Sequence, residues 1–134
     1  MTLFISQING GPELRTSRVE PLFAKLTRLV GPGEEGAFGS LDIVFHVHGS
    51  LLAPEHTGVR TGTFSKKRRM MQLQIAVTRE VLEQDDAKVA AYLIASLREA
   101  VRLAAPRFQR AKIPYPREEY EKLLDKVERG FSAH

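Results

Sequence analysis

Met70-Met71-Gln72-Leu73-Gln74-Ile75-Ala76-Val77 alternates from end to end. Met71, Leu73, Ile75 and Val77 form an apolar face, and Met70, Gln72, Gln74 and Ala76 oppose it, which predicts a half-buried β-strand. Before it, Gly58-Val59-Arg60-Thr61-Gly62-Thr63-Phe64 alternates as well, with Val59, Thr61 and Thr63 on one side and Arg60, Gly62 and Phe64 on the other. Gly62 in such a strand marks a bulge or the close approach of another backbone. A basic turn, Ser65-Lys66-Lys67-Arg68-Arg69, separates the two. A third strand runs from about Leu41 to Leu51, with Leu41, Ile43, Phe45 and Val47 facing the core and Asp42, Val44, His46 and His48 opposite. Phe38 to Val77 thus reads as three consecutive strands.

Around them the pattern changes to helical. Val19, Leu22, Phe23, Leu26, Leu29 and Val30 recur at helical spacing. Ser17 as N-cap would place Pro21 just past the first turn, where its missing N–H costs least. After Val77, Thr78 opens a short turn and Asp85 or Asp86 caps a helix striped by Ala90, Leu93, Ile94, Leu97, Ala100, Val101 and Ala104. Pro106 is expected to stop it. A last helix opens after Pro116 and buries Tyr120, Leu123, Leu124, Val127 and Phe131. A short strand over residues 2–8, with Leu3, Ile5 and Gln7 facing one way and Phe4, Ser6 and Ile8 the other, completes the order β-α-β-β-β-α-α. That order predicts a single α+β domain over residues 1–134: a small antiparallel sheet with helices on one face.

The chain of 134 residues carries a net charge of +4 and no cysteine. Disulfides and thiolate metal sites are excluded, and a reducing compartment fits. The N-terminus lacks the charged and apolar regions of a signal peptide, and no apolar run reaches the ~18 residues of a membrane span. A cytoplasmic protein without membrane contact is expected. The charge is uneven, because Arg60 to Arg69 holds five cations and no acid. Such a patch attracts phosphate or an acidic protein surface, or serves only as a solvated hairpin tip that blunts an edge.

Other constellations carry less. His46 and His48 share a strand face and His56 follows in the next loop, but Asp42 lies ~13 Å from His46 along the strand, too far for a shared metal shell. No metal site and no cofactor are predicted. None of Ser40, Ser50 and Ser65 sits in a nucleophile elbow. The pairs Glu34-Glu35, Asp85-Asp86 and Glu118-Glu119 lie in a loop or a first helical turn, where solvation, capping and the helix dipole account for them. No catalytic residue is assigned.

Gly58-Val59-Arg60-Thr61-Gly62-Thr63-Phe64-Ser65-Lys66-Lys67, then Met71-Gln72-Leu73-Gln74-Ile75-Ala76-Val77, Ala90-Ala91-Tyr92-Leu93 to Ala100 and the helix of Glu118-Glu119-Tyr120 resemble small bacterial immunity proteins of polymorphic toxin systems. The resemblance spans most of residues 40–127. It implies a non-enzymatic cytoplasmic protein that binds and blocks a cognate toxin domain. The expected partner-binding residues are Arg60, Phe64, Ser65, Lys66, Lys67, Arg68 and Arg69, with Arg60, Arg68 and Arg69 as anchors because arginine is favoured at interface hot spots. The alternative is a nucleic-acid-binding module that contacts phosphates through the same turn, with Phe64 stacking one base.

Overall fold

The computed structural model describes residues 2–10, 18–32, 38–48 and 58–132. Four strands, β1 (Leu3–Asn9), β2 (Ser40–Val47), β3 (Val59–Ser65) and β4 (Met70–Val77), form one sheet in the order β1-β2-β4-β3. Its helices are α1 (Glu20–Val30), the single turn α2 (Arg79–Leu82), α3 (Asp86–Arg110) and α4 (Arg117–Ser132). The domain is α+β. The Ser17 cap and residues 49–51 of the expected third strand lie outside the described residues; α1 begins at Glu20 with Pro21 in its first turn.

The sheet is mixed, which corrects the expected antiparallel arrangement. β1 runs parallel to β2 and β2 parallel to β4; only β3 is antiparallel, to β4. The physical reason lies in β2 and β4, which bury side chains on both faces. Val44 and Ala76 point away from the core stripe yet are 4% and 0% exposed. Strands of that kind belong in the middle of a parallel sheet. The segment between Val47 and Val59 is too long for a tight hairpin, so β4 takes the place beside β2 and leaves β3 at the edge.

Two register shifts change which residues face inward. In β1 the shift falls between Ile5 and Gln7, so Ile8 pairs with Phe45 and turns to the core side, while Gln7 pairs with Val44. In β3 it falls between Thr61 and Phe64, leaving Gly62 and Thr63 opposite Gln72 alone. This is the bulge expected at Gly62. A Cβ there would sit 2.9 Å from Gln72 Oε1 and 3.2 Å from its carbonyl oxygen. One extra residue flips everything after it, so Phe64 pairs with Met71 on the core side rather than sharing the face of Arg60.

On the core side, Leu41, Ile43, Phe45, Val47, Leu73, Ile75 and Val77 are fully buried. α3 packs on β3 and β4, α1 on β1, and α4 against both α1 and α3. α3 is N-capped by Asp85, whose side chain accepts the Lys88 N–H at 2.9 Å. It does not stop at Pro106 but runs through it to Arg110. The bond that proline forfeits belongs to the carbonyl of Arg102, an exposed residue, so the loss falls on the solvent side of the helix. Buried Phe108 then holds the final turn to the core. Among the described residues no helix is long and apolar enough to cross a membrane.

Candidate functional site

The seven residues singled out in the sequence do not form one cluster. Arg60 extends over the outer face of the sheet, where its guanidinium donates to Gln74 Oε1 at 3.1 Å and the Gln74 amide donates to Gln72 Oε1 at 3.2 Å. Phe64 is half-buried against Phe108, ring to edge at 5.4 Å, and the Arg107 guanidinium lies over its ring at 4.2 Å. Arg107 thus already occupies a face on which a base would stack. Ser65 is a turn residue whose hydroxyl accepts the Arg68 N–H at 3.2 Å. Lys66, Lys67, Arg68 and Arg69 are exposed at the tip.

The turn closes through the Arg69 N–H, which donates to the Lys66 carbonyl at 3.3 Å, with Arg69 itself at φ 52°. Its carbonyl accepts the Ser40 N–H at 2.8 Å. The preceding residue, Gly39, donates its N–H to the Pro114 carbonyl at 2.7 Å. Gly39 and Ser40 therefore tie the hairpin tip to the segment that follows α3. A Cβ on Gly39 would stand 2.6 Å from the Phe108 ring, so only glycine lets the chain pass there.

That segment is basic too. α3 ends in a Schellman motif: the Lys112 N–H donates to the Gln109 carbonyl at 3.1 Å and the Ile113 N–H to the Phe108 carbonyl at 3.0 Å. Lys112 occupies the left-handed position of the motif, at φ 57°. That conformation costs a residue with a Cβ about 1–2 kcal/mol, and glycine is its usual occupant. Arg107 and Arg110 lie in the last turn of the helix. The sequence has no Asp or Glu between Glu55 and Glu80, and none between Glu99 and Glu118. Two acid-free segments thus meet at one end of the molecule. Phe38, 47% exposed, stands beside the junction and is the one large hydrophobic side chain so exposed among the described residues.

Two tyrosines, Tyr115 half-buried and Tyr120 buried, brace the same end. Tyr115 stacks on Phe108 at 5.1 Å and donates to the Val101 carbonyl at 2.7 Å. Burial raises its pKa. Tyr120, 1% exposed, directs its hydroxyl to the carbonyls of Gly39 and Thr2, and burial pushes it up to about 12.

The histidines are placed separately. His46 Nδ1 lies 3.5 Å from the Asn9 amide on the outer face, and His48 is exposed one residue beyond β2. His56 lies outside the described residues. Among the described residues, no three His, Asp or Glu side chains are grouped so as to hold a metal ion.

The reading centred on the hairpin overlooked Arg107, Arg110, Lys112 and Phe38. The acid-free run from Ala100 to Arg117 was the available signal. What it lacked was the bulge and the passage at Gly39, which bring that run to the hairpin. Comparison with protein-family models, curated proteins and solved structures gave no match.

Proposed function

We propose that this chain is a non-enzymatic binding protein that presents its cationic end to an acidic protein surface, and that the partner is a cognate toxin domain. The observation that carries the reading is the meeting of two acid-free basic segments at the β3–β4 turn. Complementary potentials speed encounter and fix register. A hairpin tip held by the hydrogen bonds of Ser65 to Arg68 and Lys66 to Arg69, and backed by an aromatic cluster, loses little backbone freedom on docking. The resemblance to immunity proteins of polymorphic toxin systems supplies the partner class, and with it action in the bacterial cytoplasm. A nuclease with a basic surface would be repelled, so the toxin is one whose inhibited face is acidic.

The test is protection. The toxin-like gene beside this one is expressed from an inducible promoter with the wild-type chain or with Lys66→Glu/Lys67→Glu/Arg68→Glu. Survival with the wild type and death with the variant, both folded by circular dichroism, is the expected outcome. Equal protection by both removes the cationic end from the interface. Absence of a toxin-like neighbour, together with tight salt-sensitive binding to nucleic acid, replaces this reading with the nucleic-acid alternative.

A further inference from the structure

Among the described residues, the only side-chain-bearing positions with left-handed φ are Arg69 and Lys112. Glycine is the usual choice at both kinds of site, the end of a hairpin turn and the end of a helix. Both hold a cation instead, and both lie at the same end, joined through the hydrogen bonds of Ser40 to Arg69 and Gly39 to Pro114. Strained backbone of this sort concentrates where a side chain is required for function. None of Lys66, Lys67, Arg69, Arg110 and Lys112 takes part in an ion pair among the described residues. By contrast Arg98 and Arg102, farther back along α3, each hold a carboxylate. Phe38 precedes Gly39 at this junction and is 47% exposed.

We infer that Phe38 is the apolar anchor, and Arg69, Arg110 and Lys112 the charged rim, of one docking surface running from the hairpin tip to the end of α3. The partner it fits is a protein with an apolar pocket ringed by carboxylates. This rests on the binding reading above and extends its surface beyond the turn. The aromatic that enters the partner is Phe38, not Phe64.

The chain has no tryptophan, so a Trp-bearing probe reports binding alone. The probe is a nine-residue peptide of eight glutamates around a central Trp, titrated at low salt and followed by Trp emission. Wild type is expected to bind it with a blue shift. Phe38→Ala should abolish the shift and weaken binding about thirtyfold, the usual size for an anchor. Arg110→Glu/Lys112→Glu should weaken it as much as Lys66→Glu/Lys67→Glu, and Lys88→Glu/Lys126→Glu, on other surfaces, should stay within about twofold. Thermal melts confirm that each variant folds. If only the Lys66/Lys67 variant loses binding, the extension to Phe38 and α3 is overturned while the hairpin reading stands. If the peptide fails to bind at millimolar concentration, or a twelve-residue oligothymidylate binds more tightly than the peptide, both fall.

Discussion

Replacing Tyr120 by phenylalanine tests the joint that holds the cationic end in place. The Tyr120 side chain is 1% exposed, and its hydroxyl meets the carbonyls of Gly39 and Thr2. Thr2 keeps a donor after the change, because its carbonyl also accepts the Leu41 N–H at 2.8 Å. The Gly39 carbonyl loses the donor it has. An orphaned buried carbonyl costs about 1–3 kcal/mol, and the ring still packs, so the variant should be less stable by about 2 kcal/mol at pH 8. The gap depends on pH. Burial raises Tyr120 from 10.0 to about 12 in the fold, which favours the neutral phenol. Below pH 10 folded and unfolded chains both keep the proton and the contribution is complete. Above pH 10 the unfolded chain ionises first, and stability drains away up to pH 12. Two pKa units correspond to roughly 2.7 kcal/mol. Phenylalanine loses nothing over this range, so the two proteins should become equally stable near pH 11.5. Urea unfolding followed by circular dichroism at pH 8, 10, 11 and 11.5 measures the gap, and the titrating groups other than Tyr115, whose charge couples to Tyr120, cancel in the difference. A gap absent at pH 8, or one that stays constant to pH 11.5, refutes the reasoning.

Gly39→Ala drives a methyl into Phe108, a ring held by Phe64 and Tyr115. Overpacking of this kind costs about 1–3 kcal/mol, so the melting temperature should fall by several degrees; an unchanged melt means the junction is slack. Lys112→Gly should raise stability by up to ~1 kcal/mol by relieving a left-handed side chain, while weakening the acidic peptide; a lower melting temperature contradicts the strain assigned there. Asp85→Ala removes the acceptor of the Lys88 N–H and should cost about 1 kcal/mol, which Asp85→Ser should largely restore in the same denaturation assay.

Faces were legible in the sequence, and neighbours were not. The alternation of Met71 to Val77 identifies the side of β4 that meets the helices, and that side is buried as expected. The order of elements and the α+β class follow from the same periods. Alternation contains nothing about which strand lies beside which, so β4 between β2 and β3 had to come from three dimensions. Val44 and Ala76 were the local hint, being apolar residues on a face that also carries Asp42, His46, Gln72 and Gln74. The bulges hid more. A two-residue period holds only while each residue faces one partner, and one unpaired residue near Gly62 moved Phe64 from the outer face to the core. Pro106 misled for a related reason: a proline breaks a helix whose lost bond is buried, and this one is at the surface.

The bland account of the cationic end, that it serves only the helix and solubility, meets a limit in its own terms. Parallel β2 and β4 start at this end, and α3, running back after β4, finishes here with its carbonyls and their half unit of negative charge. Arg107 and Arg110, both in the last turn of α3, more than balance that dipole. Lys66, Lys67, Arg69 and Lys112 are then surplus to that dipole, and like charges gathered at one end of the molecule repel one another. Mutual repulsion of this size is tolerated at a solvated tip. A left-handed backbone at two of the surplus cations is harder to assign to solubility, since lysine or arginine elsewhere on the surface would provide the same charge without it. Under the docking surface proposed above, charge held at these two places, against both repulsion and backbone preference, is charge whose position matters to the partner.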